Sequence, residues 1–196
     1  MKDLVNVDVT VEKGSVFAAE GQGKTIEPVL VNGYDGFGGV HDNLIWTPVT
    51  GMMTYTLHNK IIIESTRTRQ QTVLTESEVR LSTLARSPNE RILAAAEGEP
   101  SRNGNAVIYL IDLIQNKQMN KITFFRHGVQ SMAFSNCGKY LIASSVPEED
   151  LLVVLDVNSG LVCEQGTVIL RGQSVNKIVV NPFAISEGDV DFLTVG

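Results

Sequence analysis

The chain of 196 residues is poor in cysteine, in aromatic rings and in charge. Cys137 and Cys163 are its only cysteines, too few for the disulfide framework of a small secreted domain. Aromatic residues make up 6%, with Trp46 the single tryptophan. Charged residues make up 19%, so Ser, Thr, Asn and Gln must cover much of the surface. No apolar run approaches the ~20 residues of a membrane helix, and no Asn-x-Ser/Thr acceptor is present. Residues 1–10 alternate and carry acids, unlike a secretory signal. These absences point to a reducing, cytoplasmic setting with no membrane partner. Basic runs are missing too, the densest being Arg67 and Arg69 around Thr68. With 16 Lys and Arg against 22 Asp and Glu, the net charge is −6. Nucleic acid is therefore not expected as a partner, because phosphate binding needs clustered cations. The hydrophobic content of 43% is that of a chain with a core.

What the chain does have is a repeat. Ser135-Asn136-Cys137-Gly138-Lys139-Tyr140-Leu141 follows the apolar positions Val129, Met132 and Phe134. Ser87-Pro88-Asn89-Glu90-Arg91-Ile92-Leu93 lies 48 residues earlier, after Leu81 and Leu84, and Thr47-Pro48 lies 40 residues before that, after Leu44 and Trp46. Asn181-Pro182 stands 46 residues beyond Ser135-Asn136, with Val175, Ile178 and Val180 in step with the earlier apolar positions, and Phe192 to Gly196 matches Tyr140 to Ser144. Each unit reads as strand, tight turn, strand, with Pro, Asn and Gly as turn chemistry. A third strand is expected at 60–63, 107–112 and 152–156, and a fourth at 122–125 and 161–163. Thr75-Glu76-Ser77-Glu78 has the pattern of a capping box. The same register reads as strand in the other units, so no helix is expected over 76–86.

Four short strands in each ~40–45 residues is the arithmetic of a β-propeller blade. The fold class expected is all-β, with three complete blades and one partial: an incomplete propeller or a fragment of a larger one. The units run over 41–78, 79–125, 126–172 and 173–196. Residues 1–40 form a lead-in, with a strand pair (Val5 to Val11 alternating, then Val16 to Ala19) and a glycine-rich loop, Gly33 to Gly39. The motif Phe134-Ser135-x-x-Gly138-Lys139-Tyr140-Leu141, the aspartates Asp112 and Asp156 closing third strands, and His127-Gly128 resemble the WD-repeat family. The Trp of that family's Trp-Asp pair is replaced by Ile111 and Leu155, and Arg86 stands where Phe134 stands in the next unit. The degenerate texture is similar to large cytoskeletal propellers, such as the echinoderm microtubule-associated-protein-like and axonemal proteins. That resemblance implies protein partners, tubulin and axonemal proteins among them, and a place in the cytoskeleton or the cilium and flagellum axoneme. It also implies a hydrogen bond from His127 within its blade.

Catalytic patterns are weak. Ala18-Ala19-Glu20-Gly21-Gln22-Gly23-Lys24-Thr25 fits a relaxed phosphate loop, which needs a helix after it to direct amides at phosphates. Pro28 and the strand-like Val29-Leu30-Val31 follow instead, so a glycine turn is the expectation and nucleotide binding the alternative. His41, His58 and His127 have no Cys or His partner at metal spacing. Cys137 reads as a turn residue and Cys163 as a small core residue. Glu187 to Asp191 lacks the full calcium-loop pattern. No catalytic residue, cofactor or metal is assigned, and the chain reads as a protein-interaction scaffold. In a propeller, binding residues sit on loops. The loops after the second strands carry Glu97, Glu99 and Arg102 in one unit and Glu148, Glu149 and Asp150 in the next. An acidic protein-binding face is expected there.

Overall fold

The computed structural model describes residues 42–75, 77–167, 175–183 and 190–196. The expected lead-in at 1–40 with its phosphate-loop-like segment, His41, and Glu187 to Asp189 lie outside the described residues. The described regular structure is entirely β. Strands β1 (Leu44–Thr47), β2 (Met52–Leu57), β3 (Lys60–Ser65) and β4 (Gln71–Thr75) form the first sheet in that order. The second holds β5 (Leu81–Arg86), β6 (Ile92–Glu97), β7 (Ala106–Asp112) and β8 (Lys117–Phe125). The third holds β9 (Val129–Phe134), β10 (Tyr140–Ser145), β11 (Leu151–Asp156) and β12 (Val162–Thr167). Strands β13 (Lys177–Val180) and β14 (Phe192–Val195) make a two-stranded sheet. All neighbours pair antiparallel. These are three complete blades and a partial fourth.

The blades pack face to face because successive strand side chains point to opposite faces. On β6, Leu93 and Ala95 join Ile61 of the first blade in one buried cluster. Their neighbours Ala94 and Ala96 join Leu141 and Leu155 of the third blade in another. On β10 the alternation continues: Ile142 turns away from Leu141 and packs against Val175 and Ile178. A strand buried on both faces reads as a continuous apolar run, and all seven residues of β7 are buried. The run of alanines on β6 has a physical use, since small side chains let two sheets close on a third.

As expected, residues 77–86 form no helix. Ser77 Oγ accepts the Val79 N–H at 3.0 Å, so the polar start of the capping pattern forms a turn and β5 follows. Outer strands read least well from sequence. β4 was not expected at all, and β8 and β12 run well beyond the stretches marked for them, because one of their faces meets water and their apolar signal is diluted. For the same reason Cys163 is not a core residue: it stands exposed on the outermost strand β12.

Each blade has two ends. The turn end carries the links from first to second and third to fourth strands. The connector end carries the links from second to third strands and the crossings between blades. The ends align along the row. At the turn end, Arg86 bonds Thr47 Oγ1 of the first blade, Gly138 lies over Pro88, and Asn136 Nδ2 donates to the Asn181 carbonyl. Between inner strands, Ser82 Oγ donates to the Val129 carbonyl at 2.6 Å and Ser131 Oγ accepts the Ile178 N–H at 3.2 Å.

Candidate interaction faces

The connector end is built around Gly128. Its φ of +149° is a value that L side chains rarely adopt, and a Cβ there would stand 2.3 Å from the Gly98 carbonyl oxygen. The Gly128 carbonyl in turn accepts the Val146 N–H at 3.1 Å. One glycine thus touches both long loops, 98–105 of the second blade and 146–150 of the third, and sets them side by side. The first loop closes on itself, with Ser101 N–H donating to the Asn105 carbonyl at 3.1 Å and Gly104 N–H to the Ser101 carbonyl at 2.9 Å. In the second, Ser145 Oγ accepts the Leu151 N–H at 2.8 Å.

The six residues expected to form an acidic face divide into three groups. Glu99, Arg102 and Glu148 are exposed and Asp150 is half-buried. Arg102 reaches Glu78 at 3.9 Å with both side chains largely in water, a pair worth ~0–1 kcal/mol. Glu149 is tied down, its carboxylate accepting the backbone N–H groups of Arg126 (2.9 Å) and His127 (3.2 Å). It anchors the crossing between blades. Glu97 does not stand on the face: it is fully buried at the end of β6. Its Oε1 accepts the hydroxyls of Tyr109 (2.6 Å) and Ser77 (2.7 Å), and its Oε2 accepts the Val107 N–H at 2.9 Å. A buried carboxylate survives only with such partners. The signal was available, because Glu97 closes a run of four buried apolar residues, Leu93 to Ala96. His127 is exposed, and its hydrogen bond within the blade comes from its backbone N–H.

The first blade holds a polar centre that sequence reasoning missed. Glu64 on β3 accepts from Arg69 (2.9 Å), Gln71 (2.9 Å) and the Tyr55 hydroxyl (3.1 Å). Burial works to raise the Glu64 carboxyl, but hydrogen bonds from Gln71, Arg69 and Tyr55 outweigh it and hold the group below its ordinary value. Burial, then the facing carboxylate, pushes the Tyr55 hydroxyl up to about 12.

The turn end repeats its chemistry. Asp112 Oδ1 accepts the N–H groups of Ile114 (2.8 Å) and Gln115 (3.0 Å). Asp156 Oδ1 accepts those of Asn158 (3.1 Å) and Ser159 (2.8 Å). These bonds, foremost from Gln115 and from Ser159, hold both carboxyls below their usual range. In the first blade Ser65 Oγ fills the same place, accepting the Thr68 N–H at 3.2 Å. Ser87 and Ser135 close the other turns alike, each Oγ accepting a backbone N–H five residues on, at 2.8 and 3.0 Å.

Comparison with solved structures fits this geometry. The chain superposes on U3-55K and on the WD40 repeats of RRP9, each with a TM-score of 0.57 and 16% identity, over 69% of this chain and 41% and 40% of those chains. Its sequence is 27% identical over 153 residues to centriole proteome protein 16 of Chlamydomonas reinhardtii, and 28% identical over 131 and 130 residues to WD repeat-containing protein 90 of Xenopus tropicalis and Homo sapiens. In sequence the chain is similar to WD-repeat proteins, and in fold to WD40 repeats. The matches cover 63%, 67% and 66% of it, and the chain spans 7% of the length of each of these relatives. No family model matches. The WD-repeat reading also accounts for the missing tryptophans: Ile111 and Leu155 fill those places and are almost wholly buried, joining clusters on opposite sides of the second blade. A protein-interaction scaffold is the function that WD-repeat relatives support. Among the described residues, no three His, Cys, Asp or Glu side chains gather as a metal site.

Proposed function

We propose that this chain is a non-enzymatic docking segment of a WD-repeat propeller, and that its connector end receives a protein partner through Glu99, Arg102, Glu148 and Asp150. The observation that carries this reading is Gly128, which seats two otherwise separate loops against one crossing and so makes one surface of them. Rigid loops on a packed scaffold lose little freedom on binding. Glu97 and Glu149 act beneath that surface, holding it in shape.

We further propose that the setting is the microtubule-based cytoskeleton of the centriole, cilium or flagellum, with tubulin or axonemal proteins as partners and the rest of a propeller beside these blades. The name of the Chlamydomonas relative, a centriole proteome protein, supports this. The test is localisation of the tagged chain in ciliated cells, beside a variant with Glu99, Glu148 and Asp150 changed to Lys. Enrichment at centrioles or axonemes that the variant loses is the expected result. Diffuse wild-type chain removes the cytoskeletal setting, and equal enrichment of the variant removes the connector end.

A further inference from the structure

The turn end, opposite the connector end, has a chemistry that its turns do not require. Val49 is 91% exposed, Ile114 72%, Leu161 67% and Phe183 83%. All four lie at or beside turns of this one end, one from each blade. Single exposed apolar residues are ordinary, so the repeat itself supplies the control. Val49 and Phe183 each stand two residues after the first residue of their turn, Thr47 and Asn181. In the two middle blades the same place holds Asn89 and Cys137. Ile114 stands two residues after Asp112, where the other blades have Arg67 and Asn158. The turns therefore form with small or polar residues at these places, so Val49, Phe183 and Ile114 are not required for the turns to form.

Charge is sorted at the same end. Arg67, Arg69, Arg91, Lys117 and Lys139 are exposed there, in a chain of net charge −6. Three carboxylates among them, Glu64, Asp112 and Asp156, are engaged in hydrogen bonds within the turns. Asp112 and Asp156 accept turn amides, and the side chains of Asp112 and Glu64 are each 8% exposed. Glu90, with a side chain 41% exposed, and the exposed Asp191 are carboxylates of this end that do reach water. A partner approaching this end meets five exposed cations and four apolar tips, against the exposed carboxylates Glu90 and Asp191.

We infer that the turn end is a second docking surface, and that its occupant is an acidic polypeptide segment carrying apolar side chains. The cations stand singly between apolar tips and do not form a continuous track, which suits a mixed acidic and apolar peptide better than a phosphate backbone. Binding rests on exposed rim charges and small apolar contacts, so it weakens with salt.

The experiment measures fluorescence anisotropy of a labelled peptide of alternating glutamate and leucine with the full chain. A lysine-leucine peptide and a single-stranded oligonucleotide are titrated in parallel. Saturable, salt-sensitive binding of the acidic peptide alone is expected. Arg67→Ser with Lys117→Ser and Lys139→Ser should weaken it about tenfold. Val49→Ser with Ile114→Ser and Phe183→Ser keeps the charge and should weaken it by a similar factor. Reversal of Glu99, Glu148 and Asp150 should leave it no weaker, which separates this surface from the connector end. Thermal melts confirm that each variant is folded. Equal binding of the lysine peptide, tighter binding of the oligonucleotide, or full binding by both turn-end variants would overturn the inference.

Discussion

The second and third blades are copies of one pattern that solve one task differently. Their turns match nearly atom for atom: Ser87 and Ser135 close the first, and Asp112 and Asp156 close the last. At the connector end they part. The second blade holds its incoming crossing with Glu97, buried in the strand and bonded to Ser77. The third has Ser145 at that place and holds its crossing with Glu149, reaching from a loop to the backbone of Arg126 and His127. Repeats constrain where a crossing must be fixed but not which side chain fixes it. A carboxylate near a loop is therefore not evidence of a free acidic surface.

Mutations sharpen this contrast. The largest effect is expected at the joint both blades share. Gly128→Ala places a methyl group against the Gly98 carbonyl and should cost about 4 kcal/mol, read from the urea midpoint. Wild-type stability in that variant would mean that the two loops do not meet at this glycine. Glu97→Ala removes the buried acceptor of the Val107 N–H and of the Tyr109 and Ser77 hydroxyls and should cost about 3 kcal/mol. Glu149→Ala exposes its two N–H donors to water, as in the loss of a helix cap, and should cost about 1 kcal/mol. Equal losses from the two would erase the distinction between buried and loop-borne anchors.

The shared turns give smaller effects. The carboxyls of Asp112 and Asp156 sit below their ordinary value in the folded chain, so they favour folding at neutral pH and lose that contribution as pH falls through their folded values. Stability should decline in acid below about pH 4, and Asp112→Asn with Asp156→Asn should flatten that decline. An unchanged acid slope in this double variant would assign it to other groups, Glu64 first among them. Smallest of all, Glu90 adopts φ +58° where the equivalent Gly138 has +71°. Glu90→Gly should stabilise by about 0.5 kcal/mol, the relief of left-handed strain outweighing the entropy of glycine. A lower thermal midpoint would show instead that the Arg86–Glu90 contact outweighs the strain.

Much of the architecture was legible because it is written as a repeat. Inner strands such as β6 and β10 face apolar neighbours on both sides, so their burial shows directly in residue type. Outer strands read poorly: in β4 the polar Gln71-Thr72 start hides the pairing of Val73 and Leu74 with Ile62 and Ile61. The connector end was legible in part. Loop positions followed from turn chemistry, but the fate of a carboxylate did not, since Glu97 and Glu99 differ only in which side of the strand terminus they occupy. Gly128 stood out only as half of the His127-Gly128 pair, and its structural role stayed hidden because it lies in the approach of a distant backbone. The apolar tips of the turn end became visible only once the exposure of all four was known.

Each middle blade shares an apolar interface on both flanks, whereas the described first blade and the two-stranded sheet share one each. Such a row behaves like a short one-dimensional chain of coupled units. Removing an inner unit breaks two couplings and removing an outer unit breaks one, so thermal fraying starts at the flanks and moves inward. Amides of β6, β7 and β10 will be the last to exchange with deuterium, and those of β14 among the first.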